Sequence, residues 1–245
     1  MPEQGNVRVA GVDGCKAGWI AVIRELEDAA ETRLAVFSSF EEVLDYSPAI
    51  SVVAVDMPIG LPERIGPGGR GPEKAARRHL GERQSSVFAV PSRAAVYAED
   101  YAQACEVAQT TSEPPKKVSK QAFYLFPKIR EIDGLMTPEL EARVYEVHPE
   151  LAFWRLNGGK AMSLPKKVKS RANGPGLDQR RDLLVSCGFK RDFLDQPPPR
   201  GCGRDDLLDA AANCLIAERI SNGRAEPFPT DYTRDGKGLR MAIWA

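Results

Sequence analysis

The sequence predicts an α/β fold: a mixed five-stranded sheet with helices on both faces. Three observations carry that prediction. Three strand-like segments at 7–13, 19–25 and 33–39 follow one another at hairpin spacing. A continuous apolar run, ISVVAVD at 50–56, has strand length and reads as a strand buried on both faces, as in parallel pairing. A fifth strand, RVYEVHP at 143–149, comes only after a long helix-rich stretch.

Taken in order, VRVAGVD alternates and is rich in valine, and GCKAG at 14–18 is a turn bracketed by glycines. WIAVIRE returns, and RLAVFSS forms the third strand after an acidic loop. Phe40, Val43 and Leu44 have helical spacing, with Ser39 as the cap. Residues 57–73 are too dense in proline and glycine for anything but loop. Helices are expected at 74–80, 93–111 and 119–135, so that about 57–135 forms a mostly helical insertion within a single domain spanning 1–245. Thr137-Pro138-Glu139 opens a short helix, and PELAFWRLNGG at 149–159 is a helix stopped by two glycines. Residues 160–176 read as a mobile basic loop, 177–187 and 205–220 as helices, and GLRMAIWA as strand or packed coil.

Bulk properties narrow the function. There are 245 residues, 42% hydrophobic and 28% charged, ordinary values for a globular protein. No run of about 18 apolar residues and no export signal is read, so no membrane is expected and the cytosol is the default. Five cysteines with no CxxC spacing argue against a disulfide framework, and His79 and His148 lack partners at zinc-ligand spacing. With 34 basic and 34 acidic residues, overall charge does not point to nucleic acid. Its distribution is uneven: residues 25–45 hold seven acids and one base, and residues 160–181 hold seven bases and one acid. The basic segment reads equally as a phosphate-tracking strip or a solvated loop.

The acids define the chemistry. Asp13, Asp56 and Glu146 close or nearly close the first, fourth and fifth strands, and Asp206 and Asp209 share a face near the start of the last helix. Several carboxylates converging on one sheet edge repel one another unless a cation neutralises them. Oxygen-only donors select magnesium or manganese, and two such ions activate water and stabilise a leaving oxygen in phosphodiester cleavage. Each acid also has an ordinary reading. Asp13-Gly14 forms turns, Asp56 stops a strand, Glu146 can face solvent, and Asp205 and Asp206 suit a helix dipole. Asp209, one turn in among Leu208, Ala210, Ala211 and Ala212, needs a partner. Lys16, Arg77, Arg78 and His148 are candidate substrate contacts, with His148 also a candidate proton shuttle. Ser85 and Ser86 lack a base-and-acid pattern for a nucleophile.

The strand and helix order matches a ribonuclease-H-like architecture. The strings GVDGCKAGW (11–19), AVDMPIGLP (54–62), YEVHPELAF (145–153), RDDLLDAAA (204–212) and DGKGLRMAIW (235–244), with 76–95 and 119–133, resemble the family named domain of unknown function four-two-nine, regarded as predicted ribonuclease-H-like nucleases. The final-helix pattern Asp206-Leu207-Leu208-Asp209-Ala210 is also similar to the paired-aspartate helix of RuvC-type resolvases. That likeness implies that Asp13 bridges both metals, Asp56 takes the second-strand position, and Asp206 and Asp209 complete the cage. Glu146 is a departure from it.

The leading expectation is a magnesium- or manganese-dependent nuclease or phosphodiesterase acting on nucleic acid or a nucleotide. A non-catalytic binding or regulatory protein on the same scaffold is the alternative. An ATP-dependent phosphotransferase is weaker, because the chain has no second phosphate-binding hairpin.

Overall fold

A computed structural model describes residues 7–27, 31–169 and 171–245. The first six residues read for an export signal, Asp28 of the acidic segment and Ser170 of the basic segment lie outside the described residues.

Strands β1 (Arg8–Cys15) and β2 (Gly18–Glu25) form a hairpin about Lys16 and Ala17, and β3 (Thr32–Phe37) pairs antiparallel with β2. Helix α1 (Phe40–Leu44) is capped by the Ser39 hydroxyl, as expected. It leads to β4 (Val52–Val55), which lies parallel to β1. Then come α2 (Gly71–Leu80), a 3-10 turn at Gly81–Ser86, α3 (Arg93–Val96), α4 (Tyr101–Thr110), α5 (Lys120–Phe123) and α6 (Phe126–Leu135). After β5 (Val144–Glu146) and α7 (Pro149–Leu156), a small hairpin of β6 (Lys167–Val168) and β7 (Arg171–Ala172) precedes α8 (Gly174–Ser186). The chain ends with α9 (Arg191–Asp195), α10 (Arg204–Ser221), β8 (Pro227–Phe228) and β9 (Ile243–Trp244).

The sheet order is β3-β2-β1-β4-β5, antiparallel across β3-β2-β1 and parallel across β1-β4-β5. This is the ribonuclease-H-like mixed sheet. Its two faces are both apolar and both covered. Val9, Ile20, Val22 and Ala54 pack under α7, α8 and α10, while Ala10, Val12, Val53 and Val55 pack under α1, α3, α4 and α6.

Several boundaries differ from expectation for local reasons. Helices α2 and α8 begin three residues earlier than predicted, because Pro72 and Pro175 sit in the first turn, where their missing N–H costs nothing. The expected 93–111 helix is two helices, since the Asp100 carboxylate caps α4 by accepting the Gln103 N–H. In place of a helix opened by Thr137, residues Leu140–Ala142 form one 3-10 turn, and the helix α9 has no counterpart in the sequence reading. Residues 160–176 are not a free loop. The fully buried Arg180 donates to Leu164 O (2.9 Å), and Asn173 Nδ2 donates to Pro165 O (2.7 Å).

Candidate metal centre

Strand register decides which acids meet. Val12 pairs with Val55, and Val55 with Glu146, so these three are level across β1, β4 and β5. Val12 and Val55 face the α1–α6 core. Because side chains alternate along a strand, Asp13 and Asp56, one residue further on, turn to the opposite face, under α10. The Asp56 N–H donates to Val12 O (3.0 Å), so the ladder runs to that point and holds the two aspartates side by side.

Helix α10 crosses this face at backbone contact. A Cβ built on Gly11 would stand 1.9 Å from Cys214 N and 2.1 Å from Ala210 O. Asn213, also buried, donates to Val12 O (3.1 Å). Asp209 lies one turn before Asn213 and therefore over the end of β1, with Asp206 a further turn back. The Cys202 thiol donates to Cys15 Sγ (3.3 Å), tying the approach to α10 to the end of β1.

The environment of these acids is strongly unfavourable to charge. Asp13 is held well above the ordinary carboxylate range by burial, then by Asp56 and Asp209, with Lys166 opposing. Burial pushes Asp56 up to about 7, against the pull of Lys166 and with Asp209 adding to the push. Burial also raises Asp206, whose Oδ2 accepts the Gly203 N–H (2.8 Å) and so caps the helix. Asp209 is 1% exposed. Its Oδ2 forms an ion pair with the Lys166 ammonium, and its Oδ1 has no hydrogen-bond partner. Burial acts against the Lys166 charge, but Asp209, Asp13 and Asp56 outweigh it and hold the amine above its ordinary value.

Glu146 stands apart. Being level with Val55, it turns away from the cage, where Arg70 binds it through Nη2 (2.5 Å) and Nη1 (3.1 Å) and Ile59 N–H donates to it (2.7 Å). Glu73 binds the other side of the same guanidinium (2.7 Å). Burial pushes Glu146 up to about 7 against the pull of Arg70, while Glu146 and Glu73 together hold Arg70 charged against its own burial. Glu150, at the start of α7, pairs with Arg180 (2.6 Å) and leaves Oε2 unpartnered.

Of the other predicted contacts, His148 lies beside the cage. Burial and the nearby Lys166 push it down to about 4, so the imidazole is neutral, and its Nδ1 is buried without a partner. Arg77 is committed to the Val87 carbonyl (2.9 Å). Lys16 and Arg78 are exposed.

The cage opens into a cleft of about 870 Å³, open mouth included. Asp13 and Asp56 lie in it with His148, Glu150, Lys166 and Lys167. Ser86, Phe88, Gln121 and Leu125, from the segment between β4 and β5, form the opposing wall.

Among the described residues, no three carboxylate, imidazole or thiolate groups already surround one point closely enough to hold an ion. The donor chemistry nevertheless fits a hard divalent cation. Asp13, Asp56 and Asp209 supply only oxygens, one of them an orphaned buried Oδ1, and one ammonium cannot neutralise them all. In the sequence Lys166 belongs to a basic segment that reads equally as a phosphate-tracking strip or a solvated loop, neither of which places it in the cage. The acid excess was a signal that some cation must enter the cage, but nothing in the local sequence said which lysine.

No curated protein and no solved structure matches the chain. A family model described as protein of unknown function (DUF429) matches residues 11–234, a span that takes in the whole cage, and the chain belongs to that family.

Proposed function

We propose that this protein is a divalent-metal-dependent phosphodiesterase, a nuclease in the broad sense, acting on nucleic acid or a nucleotide. One observation carries the reading: Asp13 and the partly buried Asp56, at the carboxyl ends of adjacent parallel strands, line a cleft, and α10 brings the buried Asp209 and the partly buried Asp206 against them. Such a group exists at a cost in stability, and the cost is offset when it holds a cation. Magnesium or manganese bound by these carboxylates would supply Lewis acidity at a phosphoryl oxygen and lower the pKa of a bound water.

The chain's own residues divide the remaining work. Asp13 and Asp56 hold the ligand oxygens on a rigid sheet edge. Asp209 brings a third from α10, and its orphaned Oδ1 is the acceptor left free for an ion or its water. His148 is neutral at physiological pH, so its free Nδ1 serves as a hydrogen-bond acceptor within the cleft rather than as a positive charge. Glu146 belongs to the Arg70 cluster and orders the loop at Ile59 and Gly60, to whose carbonyls Arg70 also donates. The five free cysteines suit a reducing cytosol. No helix among the described residues is long and apolar enough to cross a membrane.

Calorimetric titration of manganese into wild type, Asp13→Asn and Asp209→Asn tests the reading, followed by incubation of labelled RNA and DNA with the metal-loaded protein. Micromolar binding that both substitutions abolish, with metal-dependent cleavage, is expected. Binding indifferent to both substitutions would remove the cage from consideration. Binding without cleavage of any substrate would favour the non-catalytic alternative.

A further inference from the structure

The cation in the cage comes from the chain itself, and the backbone around it is built to deliver it. Leu164 O accepts from the buried Arg180 and Pro165 O from Asn173 Nδ2, while the Asn173 N–H donates to Lys166 O (2.9 Å). Pro165 also lies directly on the first turn of α8, where a Cβ on Gly176 would stand 2.0 Å from its carbonyl oxygen. The backbone on both sides of Lys166 is therefore fixed to a helix. Its side chain is delivered to Asp209 and remains 26% exposed toward the cleft. The neighbouring Lys128 is not a substitute, because its ammonium is committed to Gly18 O (2.5 Å) and to the face of the Trp19 ring (4.2 Å).

We propose that the Lys166 ammonium is the resident cation of this cage, that a divalent ion displaces it, and that Lys166 thereby sets the affinity for metal. The inference rests on the metal reading above. One ammonium brings a single charge and three donors to three carboxylates, the buried Asp13 and Asp209 and the partly buried Asp56, and it leaves Asp209 Oδ1 unpartnered. A divalent ion brings two charges and accepts six oxygens. Both cannot occupy the same place on Asp209. The lysine has a way out, because its four-carbon stem can swing into the cleft it already lines while its backbone stays pinned. Without metal the lysine keeps the carboxylates from repelling one another. With metal it is freed at the mouth of the site, beside Lys167, where a phosphate would meet it.

Two measurements on the full chain test this. Manganese is titrated calorimetrically into wild type, Lys166→Met and Lys166→Gln; the variants are expected to bind at least about tenfold more tightly. Separately, wild type is acetylated briefly with an amine-reactive ester, with and without saturating manganese, and digested for mass spectrometry. Labelling of Lys166 is expected to rise several-fold with manganese relative to Lys167, which is already half exposed. Unchanged or weaker affinity in both variants would overturn the proposal. So would unchanged Lys166 labelling, even beside tighter binding in the variants, because the lysine would then repel the ion without giving way to it. Absence of manganese binding in wild type and variants alike would instead sink the metal reading itself. The labelling arm needs no substitution, so a misfolded variant leaves the question answerable.

Discussion

Asp13 and Asp56 show what the cage costs at the scale of single residues. Both bind protons more tightly folded than unfolded, Asp56 with a folded value of about 7 against an ordinary 3.8. A carboxylate raised in this way contributes most to stability at low pH and loses that contribution as pH rises through the folded value. His148 acts in the opposite sense. Its folded value of about 4 lies below the ordinary 6.5, so stability is lost as pH falls below 6.5. That loss has begun by pH 6.5, where it amounts to about 0.4 kcal/mol, so between pH 8 and 6.5 the carboxylates prevail over His148 rather than act alone. Metal-free protein is expected to gain about 0.8 kcal/mol from Asp56 over that interval, reinforced by Glu146, which burial also pushes up to about 7; the sum is seen as a rising Tm, and Asp56→Asn should reduce the trend without abolishing it. Saturating manganese should reduce it too, since an ion in the cage holds Asp13 and Asp56 ionised. A Tm that is level or falls between pH 8 and 6.5 in the metal-free wild type would contradict the electrostatic account of the cage.

Among the elements, the contact of β1 with α10 positions everything else. Gly11 is required there by close approach rather than by backbone conformation: three backbone atoms of α10 lie within 2.5 Å of where its Cβ would be. Gly11→Ala is expected to destabilise the fold by about 3 kcal/mol, the upper end for overpacking, because backbone, unlike a flexible side chain, cannot move aside cheaply. Urea unfolding measures this, and a loss below about 1 kcal/mol would mean the helix shifts without penalty. The glycine in GVDG was visible in the sequence, but its partner was not, since the contact joins residues some two hundred positions apart. The same limit governs the site. Strand order, the paired aspartates and the carboxyl-end placement of Asp13 and Asp56 were legible from periodicity and spacing. The face to which Glu146 turns was not, because it depends on a one-residue register across β4 and β5. Nor was the anchoring of the basic segment, because Arg180 reads as one more surface base until its burial against Glu150 is known.

For the whole molecule, a net charge of zero conceals a local arrangement that bears on substrate capture. The basic segment does not act as one strip. Lys166 is spent in the cage, Arg180 is buried against Glu150, and Arg181 is bound by Asp178 and Asp182 (3.0 Å each). Lys160, Lys167, Lys169 and Arg171 remain exposed, three of them on or beside the β6–β7 hairpin at the edge of the cleft, Lys167 in a half-exposed pair with Asp205 (2.6 Å) that a phosphate would have to replace. With so few bases to meet a phosphate backbone, affinity for a single-stranded oligonucleotide should depend only modestly on salt. Each neutralised phosphate contributes roughly −0.7 to the slope of log affinity against log salt, so four contacts give a slope near −3. Fluorescence polarisation of a labelled oligonucleotide between 50 and 200 mM salt (an interval of about fourfold) is expected to return a value of about that size. Changing the four exposed bases to glutamate should abolish most of the slope and weaken binding uniformly across sequences. Asp209→Asn, which leaves all four in place, should preserve the slope. A much steeper wild-type slope would require a second basic surface elsewhere on this neutral chain. A slope that survives reversal of the four bases would move the docking path away from the hairpin, leaving the cleft to be approached from the Ser86 and Gln121 side.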